Sequence, residues 1–108
     1  MEVNINFGEI KDWETFHTVF STQMGFPEFY GRNMDAWIDC MSSIDLPEEK
    51  MSVVSVKKNE NLYLIVAELD KAFKVCPQII QEFLECTASV NNRFINRNSL
   101  TKINVIAI

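Results

Sequence analysis

The 108-residue sequence has no apolar run near the about 20 residues that a bilayer span requires. Its longest, Leu62 to Leu69, is interrupted by Glu68. It opens Met1-Glu2-Val3-Asn4, with neither a basic region nor an apolar stretch, so no secretory signal is expected. There is no Cys-x-x-Cys and only one histidine, His17, which argues against zinc. The three cysteines, Cys40, Cys76 and Cys86, are odd in number and lack paired spacing. Free, packed thiols in a reducing compartment are expected, and hence a cytoplasmic protein. No nucleophile motif is present, and two aspartates alone supply too few oxygen ligands for a divalent cation. The reading is therefore not an enzyme, with no cofactor and no metal. No repeat, low-complexity stretch or linker divides the chain, so residues 1–108 are expected to form a single domain.

What is present points to a packed globule, with 47% hydrophobic and 23% charged residues. The net charge of −5 is unevenly placed. Residues 1–49 hold ten acids and two bases, or −8, while residues 50–108 hold five acids and eight bases, or +3. An acidic half repels nucleic-acid phosphate and suits a cationic partner. Ordinary solubility explains the same imbalance. No nucleic acid and no membrane are expected as partners.

Glu2 to Phe7 alternates polar and apolar residues as a half-buried strand does, and Gly8 ends it. Asp12 is placed to cap a helix carrying Trp13, Phe16, Phe20 and Met24 at helical spacing. Gly25 stops that helix and Pro27 prevents its continuation. After the loop Phe26 to Arg32, Asn33 caps a second helix with Met34, Trp37, Ile38 and Met41 on one face, ending near Ser43. Residues 45–49 read as a turn, Met51 to Lys57 as a strand and Lys58 to Asn61 as a turn. The continuous apolar run Leu62 to Ala67 reads as a strand covered on both faces. Pro77 starts a helix with Ile79, Ile80, Phe83, Leu84 and Thr87 inward. Asn91 to Ser99 is polar and loop-like, and Lys102 to Ile108 closes the chain as a strand. Strands alternating with helices predict an α/β domain with a small, largely parallel sheet, to which residues 51–66 could add an antiparallel pair.

Residues 26–44 carry the sharpest signal. Projected at about 100° per residue from Met34, the apolar side chains of the second helix cluster near about 350°. Asp35 falls at about 100°, Asp39 at about 140°, Ser42 at about 80° and Ser43 at about 180°. Two aspartates thus stand one turn apart on the outward face. Like charges at this spacing destabilise a helix, and Asp39 lies beyond the help of the helix dipole. Local stability does not account for it. Two readings stay open, a solvated polar face or carboxylates offered to cations on a partner. Trp37 is assigned to the core, and at least one of Phe26 and Tyr30 should pack under the loop. Phe29, between them, is the harder ring to bury, and an exposed aromatic beside acids is typical of an interface anchor. Gly31 is expected to take a special backbone conformation, and Arg32 to be a solvated turn residue.

The run Phe26-Pro27-Glu28-Phe29-Tyr30-Gly31-Arg32-Asn33-Met34-Asp35-Ala36-Trp37-Ile38-Asp39-Cys40-Met41 resembles the barstar family of ribonuclease inhibitors, whose pattern here is L-P-E-Y-Y-G-x-N-L-D-A-L-W-D-C-L. His17 and the leading strand fit as well. Beyond residue 45 the similarity is one of element order, with extra residues around 55–61 and 91–99. The resemblance implies a barstar-like three-layer α/β domain, a small, mostly parallel β-sheet flanked by helices. It also implies a protein inhibitor, or immunity protein, of a small ribonuclease toxin, plugging a cationic active site with an acidic helix. By the same resemblance Asp39 matches a phosphate-mimicking carboxylate and Asp35 a second acidic contact. Gly31 and Asn33 match loop and helix-start contacts, Phe29 an aromatic that stacks on a catalytic histidine, and Glu85 an acidic contact on the later helix. Ile38 and Ile44 stand at or near family tryptophan contacts, and Ser42 lies on the face of the two aspartates. These departures imply a related toxin with a differently shaped cleft. The alternative is a barstar-like interaction module for a non-nuclease partner.

Overall fold

The alternation at the N-terminus produces β1, Glu2–Asn6, with Val3 and Ile5 buried and Glu2, Asn4 and Asn6 exposed. The computed structural model describes all 108 residues. A 3-10 turn, Phe7–Glu9, leads to α1, Trp13–Met24. Asp12 and Thr15 cap α1 reciprocally, with the Thr15 amide donating to Asp12 Oδ1 at 2.8 Å. Gly25 closes it in the left-handed conformation, φ 70°. There follow α2, Met34–Met41, a second 3-10 turn at Pro47–Glu49, β2, Leu62–Ala67, α3, Leu69–Val75, α4, Pro77–Asn96, and β3, Ile103–Ala107.

The three strands are all parallel, in the order β1-β2-β3. The register sets Val3 beside Leu64 and Leu64 beside Val105, so alternate residues form one apolar face. Against that face α1, α2 and α4 deliver Phe16, Phe20, Trp37, Phe83 and Phe94, all fully buried. Phe83 lies 5.1 Å from the Phe7 ring and 5.9 Å from Trp37. This aromatic cluster fixes α2 relative to α4. On the other face Tyr63, Ile65 and Ala67 are half-buried, so β2 is fully covered on one side only.

Three expectations about elements are corrected. Residues 51–57 are not a strand, and no antiparallel pair forms. Their amides instead satisfy carbonyls left free at a helix end: Val53 N donates to Met24 O and Gly25 O, and Val54 N donates to Met24 O. Val56 N donates to Ile44 O at 2.9 Å. The strap lies so close that a Cβ on Gly25 would meet Val53 Cβ at 2.6 Å. Residues 91–96 continue α4, because Val90 and Phe94, one turn apart, are both fully buried. Their polar neighbours occupy the outer side of the same helix, where Leu84 also lies, 46% exposed rather than inward. The short helix α3 carried no sequence reading.

Candidate partner-binding surface

The loop between α1 and α2 is held from beneath by its own aromatics. Phe26 and Tyr30 are both buried, with ring centroids 4.7 Å apart, and the Tyr30 amide donates to Pro27 O at 2.9 Å. Tyr30 Oη lies 2.6 Å from His17 Nδ1 on α1. Burial first, and the Arg32 charge second, push the His17 pKa down to about 4. Burial pushes the Tyr30 phenol above its ordinary range. Both groups are thus neutral near pH 7, and the hydrogen bond between them is a neutral one. With rings on either side turned inward, Phe29 is left 74% exposed. Arg32, expected to be merely solvated, donates from Nη2 to Glu14 O at 2.9 Å and to Thr18 Oγ1 at 2.8 Å. It also takes the left-handed conformation, φ 52°, while Gly31, where a special conformation was expected, has no positive φ. Gly31 serves close approach instead, since a Cβ there would lie 3.1 Å from Asn33 Nδ2.

Asn33 caps α2 through Oδ1, which accepts from the Ala36 amide at 2.8 Å, while its Nδ2 donates to Gly31 O at 3.3 Å. Trp37, Cys40 and Met41 face the core, Ile38 is half-buried, and Asp35 and Asp39 face outward. Asp35 makes no side-chain hydrogen bond or ion pair. Glu85, exposed on α4, accepts from Gln81 Nε2 at 3.2 Å. Burial, and then Glu82, Glu85 and Asp35, raise the pKa of the Cys86 thiol. Asp35 of α2 and Glu85 of α4 are both exposed, on two helices that pack against each other. None of the four surface depressions is lined by Phe29, Asp35, Asp39 or Glu85.

Two of the expected contact residues, Ser42 and Ile44, are buried, and a third, Asp39, is engaged within the chain. Asp39 is exposed but not free: Arg93 Nη1 on α4 donates to its Oδ1 at 2.7 Å, the two side chains being 56% and 50% exposed. Its Oδ2 has no partner within the chain. Ser42 is buried, because as the C-cap of α2 it sits under α4, accepting from Arg93 Nη1 at 3.3 Å on Oγ and from Arg97 Nη2 at 2.7 Å on its carbonyl. Ile44 is fully buried where the chain turns inward after α2. Neither Ser42 nor Ile44 offers a side chain to a partner. One turn beyond Arg93, Arg97 pairs with Asp45, whose side chain is only 4% exposed and whose Oδ2 accepts from Ser99 Oγ at 2.8 Å.

Arg93 and Arg97 are the residues that sequence reasoning missed. Their i, i+4 spacing beside Val90 and Phe94 was the available signal, hidden by reading 91–99 as a loop. These contacts run in step: residue 39 meets 93, 42 meets 93 and 97, and 45 meets 97 and 99, so α2 lies parallel to α4.

No individual curated protein gives a significant match to the chain. A scan against protein families matches residues 1–105 to the family described as Barstar (barnase inhibitor). With the match running through both the acidic α2 face and the parallel sheet that supports it, the chain belongs to the barstar family.

Proposed function

We propose that this chain inhibits a small ribonuclease by seating the 26–32 loop and the outer face of α2 in its cationic active site, while both are inside the producing cell. The observation that carries the reading is the grouping of an exposed aromatic, Phe29, with an unpaired carboxylate, Asp35, and the open Oδ2 of Asp39. A cleft that binds phosphate is lined by cations, and carboxylates held on a capped helix accept charge-assisted hydrogen bonds from them. Phe29 adds about 1.5–3 kcal/mol if its ring is fully covered. The Arg93 pair does not block this role. A half-exposed ion pair is worth about 0–1 kcal/mol, so loosening the Asp39–Arg93 pair itself costs little. Glu85, exposed on α4, is the further acidic contact of this reading.

The test is cleavage of a fluorogenic RNA by barnase and by each small secreted ribonuclease of the source organism, titrated with the chain. Stoichiometric inhibition of at least one is expected. Asp39→Ala should weaken it by about 2–5 kcal/mol, a range for which barnase with barstar is itself the reference case and which is carried over from that pair. If micromolar chain leaves every nuclease in the panel active, the proposal is wrong. The second reading, a module for a non-nuclease partner, is favoured by the withdrawal of Ser42 and Ile44 from the surface. An uninhibited panel would be its first support.

A further inference from the structure

We infer that Arg93 is a specificity-determining residue of this surface, and that it selects a partner site in which a carboxylate stands beside the cations. The inference rests on the reading of α2 as the binding face. It goes beyond that reading, because it changes the charge pattern that the face presents.

Asp39 and Arg93 form a couple open on both sides. Arg93 uses Nη1 for Asp39 Oδ1 and Ser42 Oγ, and its remaining N–H groups bond nothing else in the chain. Asp39 keeps Oδ2 unpartnered. The pair therefore offers an acceptor and several donors side by side. At the other end of α2, Asp35 is exposed and has no cation on it. Read along the helix, the face is purely anionic at its start and an anion–cation couple at its end.

Arg93 cannot be carried far from Asp39 by backbone motion. It sits between Val90 and Phe94, both fully buried, and one turn before Arg97, which is tied to Asp45 and to the Ser42 carbonyl. A docking partner thus meets the guanidinium as part of the surface. Docking removes water from it. A desolvated guanidinium with unmet N–H groups, set against further cations, loses its hydration and gains only repulsion. A partner carboxylate removes both penalties, since the planar fork of Arg is matched to two carboxylate oxygens. Cleavage of RNA through its 2′-hydroxyl calls for a general base next to the phosphate-binding cations. A ribonuclease whose base is a carboxylate supplies this pattern, and one relying on two histidines does not.

The experiment measures Kd by calorimetry for the wild-type chain, Arg93→Ala and Arg93→Lys. Each is titrated into barnase and the source organism's ribonucleases, and into the same nucleases with the active-site carboxylate changed to glutamine. Arg93→Ala is expected to weaken binding at least tenfold and Arg93→Lys to recover part of the loss. Against the glutamine variants, the difference between wild type and Arg93→Ala should vanish. That nuclease-side change leaves this chain untouched, so the comparison does not depend on how well the variants fold. Wild-type binding with Arg93→Ala equally tight or tighter overturns the inference and leaves the proposed function standing. A wild-type chain that binds no nuclease in the panel overturns both.

Discussion

Arg93 and Arg97 stand one turn apart on α4 and each pairs with an aspartate near the end of α2, yet their contributions to stability should differ severalfold. Asp45 is 4% exposed at its side chain, and Arg97 spans it and the Ser42 carbonyl at 2.7 Å. Its guanidinium also lies 5.2 Å from the Phe94 ring centroid. Removing one partner of a buried pair leaves an uncompensated charge, at a cost of about 3–5 kcal/mol. Asp45 retains Ser99 Oγ, and Arg97 is itself 35% exposed, so the lower part of that range applies. Arg97→Ala should thus cost about 3–4 kcal/mol, and lower the midpoint of thermal unfolding by about 10 °C or more in a domain of this size. Arg93→Ala breaks a pair that is half in water at both ends, and should cost less than about 1 kcal/mol. Urea unfolding followed by far-UV circular dichroism measures both. Equal losses for the two variants, or less than about 1 kcal/mol for Arg97→Ala, would refute the reasoning from exposure.

The His17–Tyr30 contact predicts an acid limit to stability. His17 falls from 6.5 to about 4 on folding, so below pH 6.5 the unfolded chain binds the extra proton, and stability present above that pH is lost as pH falls toward 4. The loss is at most about 3.5 kcal/mol at about 1.4 kcal/mol per unit, and His17→Gln should flatten this part of the pH–stability curve. Phe29→Ala should leave unfolding unchanged within about 0.5 kcal/mol while weakening the proposed nuclease inhibition about ten- to a hundredfold. Cys40, with its pKa pushed up to about 11 by burial and then by Asp39, and Cys76 and Cys86, also raised by burial, should react with a thiol reagent at pH 8 far more slowly than in denaturant. A thiol reacting at the denatured rate would contradict the packing described for its site.

Much of this protein is written in short-range signals. Asp12 and Gly25 mark the ends of α1, Asn33 and Pro77 start α2 and α4, and the alternation of β1 and the apolar run of β2 are visible to the eye. The burial of Trp37 and the exposure of Phe29, Asp35 and Asp39 follow from helical spacing and from a loop with two aromatics to hide. Family membership is legible in residues 26–41 because a loop and the helix it leads into are contiguous in the sequence. Other features needed the folded chain. Residues 51–57 have the composition of a strand, but their amides were claimed by the open carbonyls of α1, a choice made by proximity rather than propensity. The last turns of α4 are helical because Val90 and Phe94 have a core to enter, not because their polar neighbours favour a helix. The charge pattern of the candidate surface was equally out of reach. Asp39 meets a residue 54 positions away, and Asp45 one 52 positions away, and a linear chain does not say which cation will stand over which acid until two helices lie side by side.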